Sequence, residues 1–235
     1  MKQYPLISVA QVTYNCVKSI EESLLSVINQ TYNKLEYVVI DGGSSDGTLE
    51  LLEKYKEKID VLVSEPDNGI YDAMNKALKY ATGDYIIFLG ADDHFMSWRT
   101  LEKVAPKLTD QEHVFYGQIY FESYNLLHKG KFDRFKRARF NYCHQSIFYP
   151  SSVYKNYQYD CKFRLYADNE YNFRVSETHP FVWIGETVSF YATGGESTKR
   201  NDEEWNKIEK KITIKHCGKM AWCYRCLWKM YKKLK

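Results

Sequence analysis

Short apolar runs alternate with helical patterns through the first ninety residues of the chain. Four apolar runs predict strands, at Leu6–Val12, Leu35–Ile40, Val61–Ser64 and Tyr85–Leu89. The intervening patterns predict three helices: one opened by a capping box of Ser19 and Glu22, one capped within residues 44–46, and Ile70–Tyr80 with Gly83 as its C-cap. The second of these helices is expected to cover residues 48–58. Apolar strands joined by helices are typical of an α/β fold, with a parallel sheet covered on both faces.

The second half of the chain has a more mixed pattern. It predicts a hairpin of Val114–Phe121 with Ser123–Lys129, a strand Cys143–Tyr149, a helix Ala167–Glu177, two short strands Val182–Ile184 and Val188–Tyr191, and a helix Asp202–His216. The sequence shows no internal repeat and no low-complexity linker. These elements favour one catalytic domain over residues 1–216, followed by a tail over residues 217–235.

Acidic residues follow three of the predicted strands. They are Asp41, the pair Glu65 and Asp67, and the pair Asp92 and Asp93. Because ligands of such sheets bind outside the carboxyl ends of the strands, we expect these loops to converge on one binding edge. Adjacent carboxylates in a turn suit a hard cation, Mg²⁺ or Mn²⁺, which completes its coordination with substrate phosphates and water.

The charge of the chain is divided unevenly. The 235 residues have a net charge of +3, but residues 215–235 hold seven Lys or Arg and no acidic residue, and residues 128–139 hold six against one Asp. Two basic patches on an otherwise acidic body argue against general nucleic-acid binding and favour contact with an anionic ligand or surface. The 44% of hydrophobic residues excludes a disordered chain. With no signal peptide or long apolar run in the sequence, we expect a cytoplasmic protein.

The tail predicts a basic amphipathic helix. Wound as a helix, its apolar stripe comprises Met220, Tyr224, Leu227, Tyr231 and Leu234. The opposite side comprises Arg225, Lys229, Lys232 and Lys233, with Trp222 among them. Such a helix suits the interface of an anionic membrane. The alternative is a terminal helix packed on the domain with a solvated lysine face.

Several segments together resemble the family 2 glycosyltransferases, which have the GT-A fold. They are ISVAQVTYN, YVVIDGGSSDGT, EPDNGIYDAMNKALKYATGDYIIFLGADD, HQSIFY and ADNEYNFR, in this order between residues 7 and 174. The resemblance implies a Rossmann-like, mainly parallel sheet, with residues 1–110 as the nucleotide-binding half and 111–216 as the acceptor-binding half. It implies a nucleotide-sugar donor, a UDP-sugar, and a glycan or polyprenyl-diphosphate-linked acceptor.

The resemblance also assigns donor-binding positions. The residues that match are Thr13, Tyr14, Asn15, Asp41, Asp67, Lys76 and Asp92, with Asp93 as the direct metal ligand. For Lys76, a solvated helix residue is the alternative. The family more often has an acidic residue in place of Gly90 or Ala91, so two carboxylates are the certain part of this metal motif.

Asp168 is the candidate general base, since ADNEYNFR resembles the motif at the start of the helix that faces the acceptor. Glu170 competes for this role, but the two positions lie about 200° apart on a helix and cannot face the same site. A helix cap is the alternative for Asp168. His144 and Gln145 resemble an acceptor-side pair, and Arg200, after the loop Gly194–Thr198, is a candidate to neutralise phosphate. For His144, the alternative is a histidine at the edge of the core. For the loop Gly194–Thr198 with Arg200, the alternative is an ordinary connecting loop.

These patterns lead to one expected activity. We expect an inverting, metal-dependent transfer of a hexose in surface polysaccharide or lipopolysaccharide synthesis, at the inner face of the cytoplasmic membrane. A nucleotidyltransferase is the first alternative, although VTYNCVKS lacks the glycine and arginine of its usual phosphate loop. A catalytically inactive nucleotide-sugar binder is the second. The sequence leaves open whether the chain forms a homo-oligomer.

Overall fold

The computed structural model describes residues 4–121, 126–127, 130–192 and 202–233. The strands are β1 Ile7–Thr13, β2 Leu35–Asp41, β3 Val61–Ser64, β4 Tyr85–Leu89, β5 His94–Phe95, β6 Val114–Phe121, β7 Leu126–Leu127, β8 Ile147–Pro150 and β9 Phe181–Tyr191. The α-helices are α1 Ile20–Ile28, α2 Thr48–Lys54, α3 Ile70–Tyr80, α4 Thr100–Val104, α5 Arg134–Arg139, α6 Ser151–Tyr154, α7 Ala167–Val175, α8 Glu203–Cys217 and α9 Lys219–Lys233. Short 3₁₀ turns cover Lys56–Lys58, Ala105–Lys107 and His144–Ser146.

The strands form a mixed, mainly parallel sheet in the order β3-β2-β1-β4-β8-β6-β9-β5, with β7 paired to β6. The first four strands of this order run parallel to one another. Strand β8 joins them antiparallel to β4 and also pairs antiparallel with β6, while β9 is parallel to β6. This sheet, flanked by helices, confirms the predicted α/β class and the GT-A architecture.

The central strands are buried on both faces, as expected for parallel strands covered by helices. All residues of β1 and β4 are buried. Successive side chains along a strand point to opposite faces, so Val9 and Ile87 join one core cluster while Ala10 and Ile86 join the other. The continuous apolar runs in the sequence therefore reflect two cores separated by one sheet.

One predicted helix end and two predicted caps are wrong, although α1 follows Ser19 and α3 spans Ile70–Tyr80 as expected. Ser19 precedes α1, but its hydroxyl donates to the carbonyl of Cys16 and makes no capping bond to the helix. The C-cap residue of helix α3 is Ala81, whose N–H donates to the carbonyl of Ala77, and not Gly83 as predicted. The helix expected over residues 48–58 stops at Lys54, and a separate 3₁₀ turn follows.

The second half also departs from the sequence pattern. The predicted hairpin is present as two pairs, Tyr120 with Leu127 and Phe121 with Leu126, and much of its second strand lies outside the described residues. The expected strand at Cys143 begins with a 3₁₀ turn and is extended only from Ile147. The two short strands near the end are one strand, β9, because register shifts opposite Gln118 let its pairing with β6 continue.

Helices α8 and α9 follow the sheet and pack against each other, and both contact α5. The break between them is at Gly218, which has a positive φ of 89°. The tail is therefore a helix that lies on the domain. Among the described helices, none combines the length and the apolar composition needed to cross a bilayer.

Candidate active site

The acidic loops meet at one edge of the sheet, as the sequence predicted. Strands β3, β2, β1 and β4 are neighbours and run in the same direction, so their carboxyl ends lie together. In register, Thr13 of β1 is opposite Asp41 of β2, which is opposite Ser64 of β3. The loops that follow these strands carry the predicted donor-binding residues.

Asp41 organises this edge from a buried position. Its carboxylate accepts hydrogen bonds from the hydroxyls of Thr13, Ser44 and Ser64 and from the backbone N–H groups of Gly43 and Ser44. Burial raises the pKa of Asp41, but hydrogen bonds from Ser44 and Ser64 outweigh it and the pKa lies below its ordinary value. The carboxylate therefore stays ionised and ties the ends of three strands together.

Three loops meet around Gly42 with a flat, exposed ring beside them. A Cβ added to Gly42 would lie 2.3 Å from Oδ2 of Asp67 and 3.3 Å from the ring of Tyr14. Tyr14 is 64% exposed. The glycine is required because the Asp67 and Tyr14 side chains already fill the space next to it. An exposed ring beside a carboxylate offers a stacking surface and a hydrogen-bond acceptor to a planar, polar ligand.

Asn15 and Lys76 hold the neighbouring loops in place. Asn15 has a positive φ of 46°, its amide oxygen accepts from Ser45 N–H at 2.9 Å, and its own N–H donates to Ser44 at 2.8 Å. The Lys76 ammonium donates to the carbonyl of Pro66 at 2.8 Å and forms an ion pair with Glu65 at 2.9 Å, which raises the Lys76 pKa. Both predicted donor residues thus fix loops that surround the Gly42 cleft.

The adjacent carboxylates of the turn after β4 differ in exposure. Asp92 is exposed, whereas Asp93 is only 2% exposed. Asp93 Oδ2 accepts from Gln145 Nε2 at 2.8 Å, and Oδ1 accepts from the N–H of Ala192 at 3.2 Å. Burial raises the pKa of Asp93 to about 6 and the charge of Asp92 adds to this, while the Gln145 hydrogen bond and His144 oppose it. A bound cation would favour the ionised form of this pair.

Two polar residues that the sequence analysis did not single out support this turn. Gln11 Nε2 and Ser23 Oγ each donate to the carbonyl of Gly90 at 3.1 Å, and Ser23 also donates to the carbonyl of Asp93. A Cβ at Gly90 would lie 2.6 Å from Oδ2 of Asp93, so the turn has no room for a larger residue at this position. The signal in the sequence was Gln11 itself, a long polar residue among the apolar residues Val9, Ala10 and Val12 of its strand.

The carboxylates of this turn are candidates to hold a metal ion. Within the described residues, no three His, Cys, Asp or Glu side chains are grouped so that they could hold a metal ion. Mg²⁺ and Mn²⁺ bind through one or two carboxylates together with substrate phosphates and water. Asp92 and Asp93 therefore fit a cation that binds together with a diphosphate ligand, rather than one enclosed by protein ligands.

Polar side chains from distant segments surround Asp168, which lies in the first turn of α7. Its side chain is 14% exposed. Asp168 Oδ1 accepts from the Tyr71 hydroxyl at 3.2 Å, and Oδ2 accepts from Asn141 Nδ2 at 2.7 Å. The sequence analysis did not predict the contacts of Tyr71 and Asn141 with Asp168, because neither residue is close to Asp168 in sequence.

Glu170 has a different environment on the same helix. Its two carboxylate oxygens accept from Nε and Nη2 of Arg174, one turn later, at 3.0 and 2.9 Å. The hydrogen bonds that Arg174 donates to Glu170 raise the pKa of Arg174, and they outweigh burial, which acts to lower it. Glu170 is therefore engaged in an ion pair on α7. Asp168 instead contacts the polar side chains of Tyr71, Asn141 and His144.

One dipeptide joins the two carboxylate sites. Nδ1 of His144 lies 3.6 Å from Oδ2 of Asp168, and the next residue, Gln145, donates to Asp93. Gln145 is in turn fixed by the Ser189 hydroxyl, which donates to its carbonyl at 2.8 Å. The sequence pattern grouped His144 with Gln145, and the structure shows that they connect the turn after β4 with the start of α7.

The comparison with protein families agrees with this arrangement. The family model described as Glycosyl transferase family 2 matches residues 8–179, which include both carboxylate sites. The chain belongs to glycosyltransferase family 2. A family member from Mycobacterium tuberculosis, named PGL/p-HBAD biosynthesis glycosyltransferase, is 34% identical over 216 residues, covering 86% of this chain and 83% of its own. The protein is therefore a glycosyltransferase.

Several solved structures share the fold of this chain. TarS of S. aureus, residues 1–349 in complex with UDP-GlcNAc, superposes with a TM-score of 0.71 at 20% identity over 88% of this chain. The chain spans 65% of that TarS chain. A mannosyltransferase from Pyrobaculum calidifontis in complex with GDP-Man and Mn²⁺ gives a TM-score of 0.66 at 21% identity, over 92% of this chain and 64% of that one. At these identities the likeness establishes the GT-A fold.

One predicted site residue is not placed by the structure. Arg200 and the loop Gly194–Thr198 lie outside the described residues. The neighbouring Ala192, which is described, bonds to Asp93 through its N–H. The chain therefore enters this loop directly beside the proposed metal ligand.

Proposed function

We propose that this glycosyltransferase transfers a hexose from a nucleotide-sugar, a UDP-sugar, to a hydroxyl of a glycan or lipid-linked glycan, with inversion at the anomeric carbon. The observation that carries the proposal is the His144–Gln145 dipeptide, which contacts Asp168 on one side and Asp93 on the other. The candidate metal ligand Asp93 and the candidate base Asp168 are thus bridged by one dipeptide. This short separation suits a donor bound at Asp93 and an acceptor bound at Asp168 that react with each other.

The donor half of the site comprises residues 1–110. The exposed Tyr14 ring beside Asp67 is a surface for the base and ribose, and Asp92 lies next to the sugar-phosphate. Thr13, Asn15, Asp41 and Lys76 act by fixing the loops around this cleft, as their hydrogen bonds indicate. The complexes of TarS with UDP-GlcNAc and of the mannosyltransferase with GDP-Man support a nucleotide-sugar donor for this chain as well.

The acceptor half comprises residues 111–216 and supplies the base. Asp168 accepts the proton of the acceptor hydroxyl while that oxygen attacks the anomeric carbon. The bond between the sugar and the diphosphate breaks, and the nucleoside diphosphate departs with the electron pair. Attack opposite the leaving group inverts the anomeric centre. His144 is a candidate to contact the acceptor or the diphosphate. Arg200 is a candidate to neutralise the negative charge of the diphosphate.

Asp93, assisted by Asp92, would hold a divalent cation, Mn²⁺ or Mg²⁺. Such a cation supplies Lewis-acid stabilisation of the charge that develops on the departing diphosphate. The buried hydrogen bonds from Gln145 and Ala192 keep the Asp93 carboxylate in one orientation. The acidic loops would otherwise repel a diphosphate, which is the physical reason for proposing that transfer depends on the metal.

The proposed acceptor places the reaction at the inner face of the cytoplasmic membrane, where lipid-linked glycans are extended. A basic C-terminal helix without acidic residues between positions 215 and 235 supports contact with such a surface.

Substitution of Asp93 tests the donor and metal assignment. We expect Asp93→Asn, which preserves the shape of the side chain, to weaken Mn²⁺-dependent UDP binding by about 100-fold or more, because the negative charge at the ion is lost. Calorimetric titration with and without Mn²⁺ measures this. The matched control is Asp160→Asn, at an exposed carboxylate paired with Lys162. Unchanged metal-dependent binding in a folded Asp93→Asn protein would refute the assignment.

A further inference from the structure

The outward face of α9 is apolar. Met220, Leu227 and Met230 are 69%, 61% and 54% exposed, and Tyr231 is 55% exposed. Their spacing of seven, three and one residues puts them on one side of the helix. We call these four residues the α9 stripe. A run of large apolar side chains on one exposed face marks a binding surface more often than scattered exposed residues do.

The opposite face of α9 is the one that packs on the domain. Ala221 is fully buried, and the Trp228 ring lies 5.4 Å from that of Phe140. The Arg225 guanidinium donates to the carbonyls of Ala138 and Arg139 and pairs with Glu209. Arg225, which the sequence places on the side opposite the apolar stripe, therefore faces the domain, and this packing leaves the α9 stripe in solvent.

Cations border the α9 stripe. Lys219 and Lys232 are exposed at the two ends of the helix, and Lys229 is 47% exposed although it reaches Glu209. On the α5 side, Arg139 donates to the Tyr224 hydroxyl at 2.9 Å, so the basic helix α5 adjoins α9. The surface thus has an apolar centre and a positive margin.

We propose that α9 docks the enzyme on an anionic lipid surface, with Met220, Leu227 and Met230 inserted among the acyl chains and the lysines at the headgroups. This rests on the proposed transfer to a lipid-linked acceptor. The charge pattern selects lipid as the occupant, because negative headgroups complement the lysines. A second copy of the chain placed symmetrically on the stripe would instead bring two lysine-rich margins together.

The docking face is connected to the proposed base by a short segment. The carbonyls of Ala138 and Arg139 accept the hydrogen bonds of Arg225 from α9. Two residues later, Asn141 donates to Asp168. Residues 138–141 therefore link the helix proposed to dock on lipid with the proposed base.

Vesicle binding tests this proposal. The probes are vesicles of phosphatidylcholine and vesicles of equal parts phosphatidylcholine and phosphatidylglycerol, sedimented with the 235-residue chain. We expect binding to the anionic vesicles only, and a loss of about tenfold or more in the triple variant Met220→Ser, Leu227→Ser, Met230→Ser. Replacing Lys219 and Lys232 by Gln should weaken the binding and its salt dependence. The matched control is Tyr80→Ser with Trp98→Ser, at exposed rings away from α9.

The outcomes separate the docking surface from the catalytic proposal. Wild-type binding by the triple variant, or no binding by the wild-type chain, overturns the lipid assignment. So does a wild-type dimer in sedimentation velocity that the triple variant converts to a monomer, since this would assign the stripe to a second copy. Mn²⁺-dependent UDP binding is measured on the same samples. If the wild-type chain shows no Mn²⁺-dependent UDP binding, this counts against the proposed function, regardless of the result of the vesicle sedimentation.

Discussion

Asp168 and Glu170 lie two positions apart on α7 but have different surroundings. Glu170 makes a two-point contact with Arg174, whereas Asp168 receives hydrogen bonds from Tyr71 and Asn141 and faces His144. A carboxylate committed to a guanidinium is a poor proton acceptor, because protonation would break the ion pair. The environment of each residue, rather than its type, therefore favours Asp168 as the base.

At the residue scale, exchanging the two carboxylates for amides distinguishes them. We expect Asp168→Asn to lower kcat about 10²–10⁴-fold, since proton removal from the acceptor is lost, with UDP binding unchanged. Glu170→Gln should keep most of the transfer rate and lose about 0.5 kcal/mol of stability with the Arg174 pair. Initial rates of glycan formation and urea unfolding measure both. The reverse pattern of rates would identify Glu170 as the base.

At the scale of elements, a chain of buried polar groups connects β8, α7 and the segment after α5. The Tyr149 hydroxyl donates to Asn172 Oδ1 at 2.7 Å, and Asn172 Nδ2 donates to Asn141 Oδ1 at 3.1 Å. Asn141 then donates to Asp168. Tyr149 and Asn172 are fully buried, so each broken link leaves a polar group without a partner. We infer that this chain fixes the orientation of Asp168.

Asn141→Ala removes the last link of this chain. We expect kcat to fall with the donor KM unchanged, because the base loses its orientation and the donor cleft is intact, and stability to fall by about 1–3 kcal/mol. The control is Asn75→Ala, which loses bonds to Tyr159 but does not touch Asp168. Similar destabilisation of the two variants with a kcat loss confined to Asn141→Ala supports positioning. Equal kcat losses would indicate a structural role alone.

At the scale of the molecule, Glu209 fastens the C-terminal helix to the domain. Its carboxylate pairs with both Arg225 and Lys229 of α9, and it accepts from the Trp205 indole at 3.3 Å on its own helix. Burial raises the pKa of Glu209, but these two cations outweigh it and the pKa lies below its ordinary value. A carboxyl whose pKa is lowered on folding stabilises the fold above its unfolded pKa, and this stabilisation disappears as the pH falls through the folded pKa.

Glu209→Gln should therefore destabilise the protein in a pH-dependent manner. We expect a loss of about 1–3 kcal/mol at pH 7, because Arg225 keeps its buried position without a counter-charge. As the pH falls through the lowered, folded-state pKa of Glu209, wild type and variant should converge. Urea unfolding at pH 7 and at a pH below the folded-state pKa of Glu209 checks this. The control is Glu204→Gln, which removes a surface ion pair with Lys207. A difference that is independent of pH would show that the Glu209 charge does not hold α9.

Much of the donor side could be predicted from the sequence. Apolar strands separated by helices specify parallel neighbours, and parallel strands bring their carboxyl ends to one edge by topology alone. Asp41, Asp67 and Asp93 could therefore be assigned to one edge without knowing any side-chain contact. What the sequence pattern missed were the supporting groups, such as Gln11 and Ser23 beneath the Asp93 turn, because their partners are far away along the chain.

The succession of strands and helices in the first half, the shared acidic edge and the basic C-terminal helix were determined by the sequence alone, since periodicity and local charge specify them. Tertiary structure decided which carboxylate of α7 faces the cleft, how Gln145 meets Asp93, and which face of α9 stays outside. These outcomes depend on packing between distant segments. The buried Glu209 of α8 pairs with Arg225 of α9, so this side of α9 faces the domain and Met220 and Leu227 stay exposed.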